Sequence, residues 1–131
     1  MVPDRKKVDP RDIATSFLKM AASGKVSEAY QKYISRDFIH HNAYFAGDAK
    51  SLKAGMMEAH HKFPKTTLEV QRVVAEDDLV AVHSRVRHSA DSPEIAVVHI
   101  FRIDLNYDRI VELWDVGMEV PKDSPNENGV F

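Results

Sequence analysis

"TTLEVQRVVAEDDLVAVHSRVR", residues 66–87, is where the chain's hydrophobic period turns from helical to alternating. In its second half Val80, Val82, Ser84 and Val86 share one parity, while Leu79, Ala81, His83, Arg85 and Arg87 share the other. A two-residue period of this kind belongs to a strand with one apolar face, and it points His83 away from the core. Four β-rich segments follow one another from Thr66 onward, at about 66–76, 79–89, 94–104 and 109–119. Their joints, "AEDDL", "SADSPE" and "DLNYDR", are short and polar, so successive strands are expected to pair as antiparallel hairpins.

Upstream of Thr66 the pattern is helical. In "DPRDIATSFLKMAASG", residues 9–24, Asp9 suits the N-cap, Pro10 the first helical position, and Gly24 a left-handed C-terminal stop. Ile13, Phe17, Met20 and Ala21 form its apolar stripe. A short second helix is read from "SEAYQKYI", with Val26, Ala29, Tyr30, Tyr33 and Ile34 as the stripe and Ser27 as a possible cap. "SRDFIHHNAYFAGD" breaks the period and reads as a loop leading into a third helix, "AKSLKAGMMEAHHKF", stopped by Pro64. Three helices followed by a meandering antiparallel sheet predict an α+β fold in which the sheet curls around the helices.

The chain has 131 residues, 44% of them hydrophobic, enough for one domain over 1–131 with a core and a small pocket. Residues 1–8 and 120–131 read as irregular termini, with Val130 and Phe131 leaving room for the tail to dock. A net charge of −2 with interspersed signs gives no basic stripe for nucleic acid. No run reaches the roughly 20 apolar residues of a membrane span, and no signal core follows the basic N-terminus, so a soluble, cytoplasmic protein is expected. The chain has no cysteine, which excludes disulfides, thiolate catalysis and sulfur-based zinc sites.

Parity also sorts the odd polar groups. In "RIVELWDVG", residues 109–117, Val111, Leu113, Asp115 and Gly117 fall on one face and Ile110, Glu112, Trp114 and Val116 on the other. Asp115 is the one charge on its face. In the preceding strand Ile95, Val97, His99, Phe101 and Ile103 share a face that is apolar apart from His99. A carboxylate on an apolar face must be paired, protonated or near water. If Asp115 and His99 share the concave side of neighbouring strands, they form an acid/base pair at the bottom of an apolar cavity. Otherwise each lies at a strand end or in a structural hydrogen bond. None of the seven histidines stands two, three or four positions from another, so no local chelate is offered and no metal is expected. His41, between aromatic residues in "FIHHNAY", is placed either to close a pocket rim or as a surface or capping histidine.

Several motifs resemble the SnoaL-like polyketide cyclase branch of the nuclear transport factor 2-like superfamily. "FIHHN" stands beside the family's Y-I-x-H-N-P, "DDLVAVHS" beside D-L-V-A-V-H-S, and "IFRI...DRIVELWDV" beside F-R-x-x-x-G-K-I-x-E-H-W-D. "SPNENGVF" is similar to the branch's N-P-N-G-M-F type of ending. The resemblance covers residues 9–119 and implies a cystatin-like, cone-shaped sheet around three helices, a cavity between the layers, and a homodimer. It places a general acid/base on Asp115, with assistance from His99 and from His41 as the loop histidine. Leu113 departs from the pattern where the family has His, Ala43 where it has Pro, and Asp108 where it has the turn Gly.

The expected catalytic group is therefore Asp115, His99 and His41, and the expected substrate-binding set is Trp114, Leu113, Phe101, Val97, Asn42 and Tyr44. The leading expectation is a cofactor-independent cyclase, lyase or isomerase. Asp115 moves a proton α to the carbonyl of a small apolar ligand, for aldol condensation, cyclisation or isomerisation. The alternatives are a hydrolase in which Asp115 activates water and a non-catalytic, dimeric small-ligand-binding module. The outer set Trp114, Ile110, Val98 and Ile100 supplies a candidate face for a second copy.

Overall fold

The computed structural model describes residues 7–131, so residues 1–6 of the terminus expected to be irregular lie outside the described part. Three helices, α1 (Pro10–Ala22), α2 (Val26–Tyr33) and α3 (Ala49–Lys62), accompany five strands. The strands are β1 (Ile34–His40), β2 (Thr67–Glu76), β3 (Leu79–Arg87), β4 (Glu94–Asp104) and β5 (Arg109–Glu119), arranged in the order β1-β5-β4-β3-β2. This is the expected α+β architecture.

The helix ends are set by local chemistry. Asp9 accepts a hydrogen bond from the Arg11 amide at 2.9 Å, Pro10 opens α1, and Gly24 turns the chain at φ +92°. Asp48 caps α3 by accepting from the Ser51 amide at 3.0 Å. Ser27 does not cap α2. The helix begins one residue earlier, at Val26, with no side-chain cap. Phe17 fixes the layers together: its ring meets Phe101 of β4 at 6.1 Å and Tyr30 of α2 at 5.7 Å. Around it Ile13, Val80, Val82, Ile103 and Leu113 are buried.

Two local readings are corrected. The segment read as a loop after α2 begins with β1, which pairs parallel with β5, whereas β2 to β5 pair antiparallel. Only Phe38 and His40 of β1 turn inward to buried positions, too short an alternation to mark a strand in the sequence. The face assigned to Ile110 is also reversed. β4 and β5 slip by one residue, Arg102 facing Glu112 but Ile103 facing Ile110, so Val111 is the extra residue of a bulge. Ile110 thereby joins Leu113 in the core, fully buried, and leaves the outer set. From Glu112 onward the expected parity holds.

Residues 120–131 contain no helix or strand, yet the tail returns over the outer face of the sheet. Phe131 stacks on His83 at 5.8 Å, with the Arg85 guanidinium 4.2 Å from its ring centre. Among the described residues no helix is long and apolar enough to cross a membrane.

Candidate functional site

α1 changes character along its length. Phe17 and Leu18 fill the core, but one turn later Ala21 and Ala22 present small side chains, as does Ala59 of α3. Helices and sheet cannot close where only methyl groups meet, and a cavity of about 320 Å³ remains. Its sheet wall includes Leu68, Val86, Val97 and His99, and its helix wall includes Met56 and His60. A second hollow of about 460 Å³ adjoins it through shared His88 and Ile95 and carries Tyr44, Phe63 and Gly117 on its walls.

His99 and Asp115 stand opposite each other in the register of β4 and β5. The His99 ring lies over Phe101 at 6.0 Å, and its Nδ1 is enclosed without a hydrogen-bond partner. Burial disfavours the imidazolium more than the nearby Asp115 carboxylate favours it, so the pKa falls from 6.5 to about 4. At neutral pH the ring is uncharged. Asp115 is half-buried and accepts from Asn42 Nδ2 through both oxygens, at 3.0 and 3.3 Å.

Asn42 is itself held. Its Oδ1 accepts from the Tyr44 amide at 3.0 Å, and its own amide donates to His40 Nδ1 at 3.1 Å. His40 Nε2 meets the Ala46 carbonyl at 2.6 Å. A carbonyl only accepts, so the His40 proton sits on Nε2 and both of its nitrogens are occupied. The loop after β1 thus forms a rigid bracket behind the carboxylate.

The expected residues divide between the two faces of the sheet. His99 and Val97 line the main cavity, and Tyr44, with its ring largely exposed, lines the second hollow. Phe101 and Leu113 are buried in the core beneath the site. Asp115 borders the cavity through His99, and Gly117, two residues further along its face, lines the second hollow. His41 does not reach this group. Its Nε2 donates to Glu112 at 2.7 Å and its ring stacks on Trp114 at 5.0 Å, both on the reverse side. Strand alternation explains this: consecutive histidines at the end of β1 point to opposite faces, and the inward one is His40. Trp114 likewise faces outward, near the Arg102 guanidinium, which pairs with Asp78 and Glu112.

His60 and His88 were absent from the expected set, yet both line the main cavity. The Thr66 hydroxyl donates to the Phe63 carbonyl and takes a hydrogen bond from His88 Nδ1 at 3.2 Å. The spacing Leu52, Met56, His60 along one helical stripe was a signal for His60, since Leu52 is buried and Met56 lines the cavity. Among the described residues no three histidine or carboxylate side chains converge as a metal site would require.

The fold recurs in solved structures. IdmH from Streptomyces antibioticus, provisionally assigned as a polyketide cyclase, is 25% identical and superposes with a TM-score of 0.65, over 84% of this chain and 92% of that one. AclR from Streptomyces galilaeus, provisionally assigned as a hydroxylase, has a TM-score of 0.70 at 19% identity, over 83% and 88% of the two chains. A cystatin-fold protein from Novosphingobium aromaticivorans reaches 0.68 at 14% identity, over 83% and 98%. No curated protein matches the chain significantly. The SnoaL-like domain model matches residues 14–113, which span the core, the Asn42 bracket, the cavity's helix wall and His99. By that match, and with its three helices and curved sheet, this chain belongs to the SnoaL-like domain family within the nuclear transport factor 2-like superfamily.

Proposed function

We propose that the protein is a cofactor-independent enzyme in which Asp115 is the general acid/base for aldol condensation, cyclisation or isomerisation of a small apolar carbonyl compound. The observation that carries the reading is that Asp115 stands opposite His99 in the β4–β5 register, His99 being uncharged and at the wall of an apolar cavity, with Asn42 fixing the carboxylate. In this scheme the carboxylate takes the proton α to the carbonyl, and the electron pair of the broken C–H bond passes into the enolate. A neutral imidazole N–H of His99 donates to the enolate oxygen. The enolate carbon then forms a C–C bond to a second carbonyl carbon, whose oxygen regains the proton from Asp115. In isomerisation the proton returns instead to another carbon. Family membership and the likeness to IdmH support a cyclase-type chemistry.

The test is Asp115→Asn, which keeps shape and one oxygen to accept from Asn42 but removes the base. Folding by circular dichroism is expected to be unchanged and turnover across a panel of ketones and β-dicarbonyls to vanish. Full activity in this variant removes the mechanism.

One observation favours a second reading, a ligand-binding module without turnover: the carboxylate stands beside the cavity rather than among its lining residues. Native mass spectrometry showing a small molecule retained through purification, never consumed, would select it. Either reading accommodates a homodimer through the outer sheet face, where Ile100, Val116 and Met118 are exposed. Sedimentation of a monomer at micromolar concentration would contradict that pairing.

A further inference from the structure

The register of β2 and β3 places His88 at the neck between the two hollows. Their ladder ends with Thr67 opposite Arg87, so Thr66 and His88 are the pair just beyond it. By strand parity His88 continues the inward face of Val82, Ser84 and Val86, and Thr66 continues that of Leu68. Thr66 and His88 both line the main cavity, and His88 also lines the second hollow. The other residue that the two hollows share is Ile95, whose side chain is apolar.

The ring is held in one place and one tautomer. One face stacks on Phe63, with 4.5 Å between ring centres, and Nδ1 lies 3.2 Å from the Thr66 hydroxyl. That hydroxyl has a single proton and gives it to the Phe63 carbonyl at 2.8 Å, so toward the imidazole it only accepts. Nδ1 of the neutral ring therefore carries the hydrogen, and Nε2 is left as a bare acceptor. No group among the described residues hydrogen-bonds to Nε2, and it is not one of the enclosed polar atoms, in contrast to Nδ1 of His60 and of His99. A molecule in the hollows can reach it.

We infer that His88 selects the ligand: its Nε2 takes a hydrogen bond from a hydroxyl, phenolic or enolic, on an apolar molecule whose body fills the main cavity. An apolar ligand displaces the water that serves Nε2, and unless the ligand brings a donor the acceptor is left unpaired at a cost. A site of this kind discriminates against analogues that lack the hydroxyl. At about 320 Å³ the cavity lies at the small end of ligand pockets, with room for a two-ring body. The inference deepens the proposed function, naming a hydroxylated substrate class, and it rests on the cavity being the ligand site rather than on the chemistry of Asp115.

Calorimetric titration of the whole chain with 2-naphthol and with 2-methoxynaphthalene, at about pH 8 where an imidazole is uncharged, tests it. The two probes share a body and an oxygen, and only the first has a hydrogen to donate. His88→Phe, which keeps an aromatic ring against Phe63, is expected to weaken 2-naphthol about three- to tenfold, the worth of one neutral hydrogen bond, and to move 2-methoxynaphthalene by less than about twofold. His88→Gln, whose amide oxygen accepts, should regain part of the loss. His88→Leu makes the same comparison if the phenylalanine variant does not fold. Ring-nitrogen NMR adds a signature that a purely structural histidine would not give: the bare Nε2 resonance should shift on adding 2-naphthol and stay in place with the ether. No binding of either probe, equal weakening of both, an unmoved Nε2 resonance, or a 2-naphthol affinity that survives both apolar substitutions overturns the inference. Neither probe has a carbonyl to turn over, so the outcome is separate from the fate of the enzymatic reading. Ketone turnover abolished by Asp115→Asn beside such a result leaves that reading standing and removes only the role of His88.

Discussion

Replacing His99 by phenylalanine should flatten the acid sensitivity of the protein. In the folded chain the imidazole protonates only near pH 4, against an ordinary value of 6.5, because burial outweighs the attraction of Asp115. Between those values the unfolded chain binds a proton at this residue that the folded chain does not. Stability therefore rises with pH across the window, is complete above about 6.5, and is lost as the pH falls toward 4. At 1.36 kcal/mol per pKa unit the contribution is about 2–3 kcal/mol, the upper end applying to a fully dry ring. Urea denaturation followed through Trp114, the chain's one tryptophan, measures this directly. Between about pH 7 and about pH 4 the unmodified protein should lose roughly 2–3 kcal/mol more than His99→Phe. Equal losses in the two proteins would falsify the account of a buried, neutral imidazole. A proton NMR titration of the His99 ring adds a second readout. Asp115→Asn should lower the midpoint further, because the carboxylate is the group that draws it upward.

Asn42→Ala should leave the fold intact and lower kcat with little change in KM, because Asn42 orients the base and lies outside the main cavity lining. Loss of a hydrogen bond to a charged group corresponds to about 1.5–3 kcal/mol, or roughly ten- to a hundredfold in rate, and an unchanged kcat would show that the bracket is dispensable. Gly24→Ala combines a left-handed backbone at φ +92° with a contact of 2.3 Å to His60. It should destabilise the protein by about 1–3 kcal/mol from the backbone alone, and the same substitution in a His60→Ala background should recover the part due to the ring.

Much of this architecture is legible locally. The cap at Asp9, the stop at Gly24 and the alternation of β3 and β4 each depend on residues a few positions apart. So does the inward face of Asp115 and His99, once the hairpin between their strands is granted. Other features escape such a reading. β1 shows only a brief alternation because its hydrogen-bonding partner, β5, lies about seventy residues away and runs parallel to it. Ile110 changes face because one residue bulges, and parity counting has no means of sensing an insertion in the pairing.

The candidate site divides along the same line. The amino-acid sequence by itself determined the three helices, the alternating strands, and the isolation of one acid and one histidine on apolar faces, because periodicity is a short-range property. Only the tertiary structure decided that Asn42 would grip Asp115, that His41 would turn to Glu112 and Trp114, and that His60 would face His99 across the hollow. Those outcomes depend on how far apart small residues hold the two layers and on where a parallel edge strand ends, and both are set by contacts between distant parts of the chain.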